Sequence, residues 1–298
     1  MSDVAAQVAQ QIANAAKKVN WDKVNPELRY EGRHITIPGD PAKMPITETI
    51  KTLMRVQADE EQAFQVHEWI DAYPHDAAVA FVKAMTKLYG WASPVATPGF
   101  FGAKPPTMLT VQVGVGDDEI VQCPMGRFVL PGVSAPINTS ITENDEGVVQ
   151  FVVYGEIKKK DRHLVIELVN EARRIVKEES IYKGKSIRIG VDNYGNLDQN
   201  NPPKFFGTSD TSEASVIFDA DTMMQIDTSV FVPVKYTEDT KKNKIPLKRG
   251  VLFEGPYGTG KTLLARVVAS VPVSNGWTFV MLDKVQGLRA ALEFAKRY

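Results

Sequence analysis

The chain has 298 residues, is 43% hydrophobic and 24% charged, and sets 35 Lys and Arg against 36 Asp and Glu for a net charge of −1. These proportions describe a globular chain of roughly two domains, and the balanced charge gives no global attraction to nucleic acid or to an anionic membrane. A lone cysteine, Cys123, excludes an internal disulfide framework and a cysteine zinc cluster. No apolar run approaches the ~20 residues needed to cross a bilayer, and the N-terminus lacks a basic stretch followed by an apolar core, so a cytoplasmic protein with no membrane partner is expected.

Residues 1–98 read as a helical region. Val4, Val8, Ile12 and Ala15 form a thin stripe, and 46–89 holds stronger ones in Ile50, Leu53 and Met54, then Val79, Val82, Met85 and Leu88. Between them Pro26, Pro38 and Pro41 mark a connection with room for a short strand at 34–37. The Pro- and Gly-rich stretch 93–106 marks the boundary of the next region.

Residues 99–222 read as a small α+β domain with a hinge. Strands are expected at 108–115, 119–123, 148–157 and 186–191. Leu164, Leu168, Ala172, Ile175 and Val176 set an apolar face on a helix over 161–179. The polar, turn-rich stretch 192–215 suits a loop.

Several features invite other chemistry and carry less of it than they suggest. His34, His67, His75 and His163 lack any metal-ligand spacing. The run from Lys158 to His163 could touch nucleic acid, but a hairpin end or helix start is charged for the same solvation reasons. Gly114-Val115-Gly116-Asp117-Asp118 lacks the third glycine of a dinucleotide site and reads as a tight hairpin. Asn138-Thr139-Ser140 reads as an ordinary loop, and Phe100, Phe101 and Phe205-Phe206-Gly207 as aromatic residues in loops.

Residues 223–298 hold the sharpest signal, Gly255-Pro256-Tyr257-Gly258-Thr259-Gly260-Lys261-Thr262, which matches the phosphate-binding loop. Its glycines let successive N–H groups turn inward on phosphate oxygens at a helix start. Lys261 would reach the β- and γ-phosphates, Thr262 would ligate Mg²⁺, and Leu263 would close the binding segment in the first helical turn. The flanks supply a short apolar run at 250–254 suited to a buried strand and helix formers at 263–270. A second strand is expected at 277–282, then Asp283 as N-cap of a helix with Leu288, Ala291, Leu292 and Ala295 on its apolar face. Lys241, Lys242, Lys244, Lys248 and Arg249 form a basic cluster just before the loop.

The stretch from Ile245 to Ala265, Ile-Pro-Leu-Lys-Arg-Gly-Val-Leu-Phe-Glu-Gly-Pro running into Gly-Thr-Gly-Lys-Thr-Leu-Leu-Ala, resembles the start of the AAA+ ATPase module, most of all bacterial and phage-encoded members with a long N-terminal extension. Members often have a second proline where this chain has Tyr257, a position whose side chain is not needed for phosphate. The resemblance implies an α/β P-loop NTPase, incomplete and limited to the N-terminal part of the AAA+ core, preceded by the helical region and the α+β domain. It implies ATP and Mg as cofactors, ATP hydrolysis coupled to remodelling of a macromolecular partner, a protein substrate and a homo-oligomer when complete.

In the family the strand that comes after the 277–282 strand and its helix carries the acidic Walker B pair, so Asp221, Asp227 and Asp283, all upstream of it, cannot fill that role. The catalytic residues are then unknown, and the chain reads as truncated and inactive in hydrolysis. The family's pore loop would fall near Met281, Leu282 and Val285, without its aromatic residue. Two alternatives stay open: a non-hydrolysing, nucleotide-dependent interaction protein, and a nucleic-acid-linked motor such as a helicase loader.

Overall fold

The computed structural model describes residues 27–30, 33–36, 46–100, 102–143, 148–192, 194–198, 202–208, 215–248, 250–282 and 284–298. The expected stripe from Val4 to Ala15, Phe101, Arg249 and the cap at Asp283 lie outside them. In chain order the elements are β1 (Glu27–Tyr30), β2 (Arg33–Thr36), α1 (Ile46–Glu60), β3 (Ala63–Ile70), α2 (Pro74–Tyr89), β4 (Thr107–Gln112) and β5 (Ile120–Met125). Next come β6 (Arg127–Phe128), β7 (Ile137–Glu143), β8 (Val149–Lys158), α3 (Arg162–Glu179), β9 (Ser186–Ile189) and β10 (Lys204–Phe205). A helical arm follows as α4 (Ala220–Ile226), a π-turn (Asp227–Phe231), α5 (Val232–Lys235) and α6 (Thr237–Lys242), then α7 (Lys261–Ser274), β11 (Phe279–Leu282) and α8 (Leu288–Arg297). Among the described residues no helix is long and apolar enough to cross a membrane.

The chain divides into two compact units, one of residues 1–64 with 158–162 and one of 65–157 with 163–298. The boundaries expected after residues 98 and 222 fall inside the second unit. In the first, β1 and β2 pair as an antiparallel hairpin, with β2 on the expected 34–37 strand. The lysine run is neutralised there: Lys158 and Lys160 pair with Glu61, and Lys159 pairs with Asp59. The same contacts hold the Glu61 carboxyl below its ordinary range, and the Arg162 guanidinium lies 4.9 Å over the Phe64 ring.

The second unit is built on a sheet of order β3-β8-β7-β6, a hairpin β4-β5 and a smaller sheet β10-β9-β11. Two differences from expectation lie in the first sheet. Residues 63–70 form β3 where 46–89 had read as helix, because Ala63 to Ile70 alternates exposed with buried positions and buries Val66 and Ile70 on one face. Asn138-Thr139-Ser140 lies within β7, where Thr139 is buried, its hydroxyl accepting from the Gly126 amide at 3.1 Å. The hairpin expected at 114–118 joins β4 to β5, the Glu119 amide donating to the Gly116 carbonyl at 3.0 Å.

Helix α2 starts with Pro74 in its first turn and ends at Gly90, whose φ of 78° and amide bond to Thr86 O close the last turn. It buries Ala77, Ala80, Phe81, Ala84 and Met85, with the Phe81 ring centroid 5.4 Å from that of Phe128 and 5.5 Å from that of Phe151. Helix α3 buries Leu168, Ala172 and Ile175 of the expected stripe together with Val165 and Val169, and leaves Leu164 and Val176 half-buried. At this density, burying a Phe or Leu side chain contributes roughly 1.5–3 kcal/mol each.

The smaller sheet brings the two sides of the 192–215 stretch together and takes one short strand, β10, from within it. Strand β11 pairs in parallel with β9, Val280 opposite Ile187, and β10 pairs antiparallel on the other edge of β9, Phe205 opposite Ile187. Phe205 is therefore no loop aromatic: it is buried and stacks on Tyr182 at 5.5 Å. Tyr182 also meets Phe294 and Tyr298 edge-on, and the Tyr73 amide donates to the Tyr298 hydroxyl at 2.8 Å. Asp76, almost fully buried, accepts from the Ser180 hydroxyl at 2.7 Å and the Ile181 amide at 3.0 Å. Helix α8 consequently turns Ala291 and Phe294 inward and leaves Leu288, Leu292 and Ala295 exposed, so only Ala291 of the expected face is buried.

Candidate phosphate-binding loop

The loop lies between an extended segment and the start of α7. Residues 250–254 form no strand: Val251 is half-exposed and Leu252 is 89% exposed. An apolar run becomes a buried strand only when neighbours take both edges. Here β9 is already flanked by β10 and β11, and the run pairs with neither.

From Gly255 the chain turns through Gly258 and Gly260, at φ of 85° and 84°, before Lys261 opens the helix. That left-handed region costs a residue with a Cβ roughly 1–2 kcal/mol, so these two positions require glycine. A Cβ at Gly258 would meet nothing and one at Gly260 only Phe218 at 3.8 Å, so the demand is conformational and not steric. Gly260 has no side chain to cap the helix, so the first-turn N–H groups lack an intrahelical acceptor and direct partial positive charge toward the loop.

The Lys261 ammonium donates to the carbonyl oxygens of Gly255 at 2.7 Å and Pro256 at 2.6 Å and lies 3.5 Å from Thr259 Oγ1. The Thr259 hydroxyl donates to the same Pro256 carbonyl at 2.9 Å. Thr262 is exposed beside Lys261, Tyr257 is fully exposed, and Leu263 is half-exposed. All nine expected residues, Gly255 to Leu263, thus share one turn and the helix start that follows it.

What fixes this turn in place is α7. Leu264, Val267 and Val271 pack with Val216, Ile226 and Phe231, and Phe218, Met223 and Phe253 lie against that cluster. The arm's π-turn falls just ahead of Pro233, which cannot donate to the helical ladder, and it seats Phe231 in the cluster. Asp219 caps α4 by accepting from the Thr222 hydroxyl at 2.6 Å and the Thr222 amide at 2.9 Å, bonds that lower its carboxyl pKa. The sequence alone assigns Val216, Phe218 and Asp219 no role. The signal was present in Val216 and Phe218 flanking exposed Ile217, and in an Asp three residues before Thr222.

The remaining candidates do not gather around the loop. Lys241 pairs with Glu238 at 2.9 Å, Met281 and Leu282 are half-buried in β11, and Val285 is 82% exposed. His67 and His163 are exposed, while His75 stacks on Tyr73 at 5.4 Å with its pKa lowered by burial. Among the described residues no group of three or more His, Cys, Asp or Glu could hold a metal ion.

No family model matches the chain. A stretch of 50 residues is 48% identical to part of the ATPase with bromodomain protein abo2 of Schizosaccharomyces pombe, covering 17% of this chain and 4% of that protein. The chain is therefore similar, over a short stretch, to a protein described as an ATPase, of which it spans a small part.

Proposed function

We propose that residues 255–263 bind Mg-ATP and that the chain belongs to an AAA+ ATPase that uses ATP hydrolysis to remodel a macromolecular partner. The observation that carries this reading is the pair Gly258 and Gly260 in left-handed conformation immediately before α7, with the Lys261 ammonium lying over the turn. Such a turn presents backbone N–H groups and one cation to a phosphate, and the half-charge at the helix start adds to both. The local similarity to a protein named as an ATPase supports the nucleotide.

In this reading Lys261 moves its donors from the Gly255 and Pro256 carbonyls to the β- and γ-phosphates. Thr262, exposed at the second helical position, offers its hydroxyl to Mg²⁺, and Leu263 closes the first turn. Bound there, Mg²⁺ would neutralise charge that develops on the phosphate oxygens. Helix α7 holds the turn rigid through Leu264 and Val267, so orientation of the phosphates is set by packing on the arm. A fold of the α/β P-loop type, a homo-oligomer, a protein substrate and a cytoplasmic setting belong to the same proposal.

The test is a calorimetric titration of the chain with ATP, ADP and AMP in Mg²⁺. Affinity should fall in that order as the phosphates that meet Lys261 are removed. Equal affinity for AMP and ATP would contradict a phosphate-reading loop.

A further inference from the structure

We infer that Thr259 is a positioning residue for the nucleotide loop, acting through its side-chain hydroxyl on the Pro256 carbonyl and on Lys261. The inference rests on the nucleotide reading above. Two donors converge on one carbonyl: Thr259 Oγ1 at 2.9 Å and Lys261 Nζ at 2.6 Å both reach Pro256 O. The same Oγ1 lies 3.5 Å from the Lys261 ammonium, and 3.1 Å from where a Cβ on Gly255 would stand. One hydroxyl thereby ties the two limbs of the turn, Gly255-Pro256 on one side and Lys261 on the other.

The tie matters because Lys261 cannot serve a phosphate and both carbonyls at once. When its ammonium leaves Pro256 O for a phosphate, the Thr259 hydroxyl remains on that carbonyl. That bond still ties the Gly255-Pro256 limb to Thr259, so the turn keeps its shape while the ammonium moves. Gly258 and Gly260 on either side of Thr259 have no Cβ and both hold left-handed φ, so the backbone alone restrains this peptide weakly. The side chain of Thr259 supplies the restraint that the glycines give up. Its exposure separates the role from stability, since Thr259 packs in no buried cluster.

The experiment compares Thr259→Val, which keeps the branched shape and removes the hydroxyl, with Thr259→Ser, which keeps the hydroxyl and removes the methyl. Mg-ATP is titrated calorimetrically into each, with Lys261→Ala as a parallel control. Loss of one hydrogen bond should weaken Mg-ATP binding by Thr259→Val roughly five- to tenfold. Thr259→Ser should stay within about twofold of the unsubstituted chain, and melting temperatures should agree within about 1 °C. Wild-type affinity in Thr259→Val, or equal weakening in Val and Ser, would overturn the role of the hydroxyl. If Lys261→Ala lost affinity in either of those cases, the nucleotide reading would survive and Thr259 alone would fall. Undiminished affinity in Lys261→Ala would instead remove the reading on which the inference rests.

Discussion

The α2–α3 layer and the candidate phosphate loop belong to one compact unit and hold their shapes by opposite means. In the layer, Phe81, Phe128, Phe151 and Leu168 are buried almost completely, and geometry follows from close packing. In the loop, Leu252 is 89% exposed, Tyr257 is fully exposed, and shape comes from two left-handed glycines and the hydrogen bonds of Thr259 and Lys261. The contrast shows where each kind of substitution will register. Changes in the layer should alter stability and leave ligand affinity, while changes in the loop should do the reverse.

The largest expected effect breaks the layer. Phe151→Ala opens a cavity beside Phe81 and should cost about 3–5 kcal/mol in urea unfolding, with Mg-ATP affinity of the folded fraction unchanged. Next comes the loop: Lys261→Ala should weaken Mg-ATP binding by on the order of 2–3 kcal/mol in calorimetry with no loss of melting temperature, since Lys261 contacts only its own exposed turn. Loss of stability with retained affinity in that variant would erase the distinction between the regions.

A third case sharpens it at the aromatic cluster, where packing and polar bonds act together. Tyr298→Phe removes the acceptor of the Tyr73 amide and should cost about 1 kcal/mol. In the same cluster burial pushes the Asp76 carboxyl above its ordinary value of 3.8, so the folded chain holds that proton more tightly than the unfolded chain. Stability should therefore fall as pH rises from 3.8 through the raised value, then level off. Urea midpoints measured across that range should show the fall in the unsubstituted chain and a flatter profile in Asp76→Asn. The smallest effect belongs to Leu252→Ser, which should change unfolding stability by no more than about 0.5 kcal/mol, because 89% of the side chain is already in water.

Local signals in the sequence carried the loop itself and much of the secondary structure. The helix start at Lys261, the α3 stripe at Leu168, Ala172 and Ile175, and the hairpin at 114–118 are each set by neighbouring residues, and each lies where the residues imply. What stayed hidden depends on distant partners. The run at 250–254 has the composition of a buried strand and none of the neighbours, so it stays extended and exposed. The 277–282 run found its neighbour in β9, across a stretch that reads as a hinge. Helix α8 could present either of two apolar faces, and Tyr182 selected the one with Ala291 and Phe294. The same limit hid Phe218, whose place beside Gly260 follows from the fold of the arm.

The most direct test of the central claim is amide hydrogen exchange of the chain with and without saturating Mg-ATP. Exchange should slow in peptides covering Gly255 to Leu263, with smaller changes in the Phe81 and Phe151 layer, because bound phosphates would occupy the N–H groups of the turn. Unchanged exchange across Gly255 to Leu263, with protection appearing elsewhere, would contradict the account and place the nucleotide at another site.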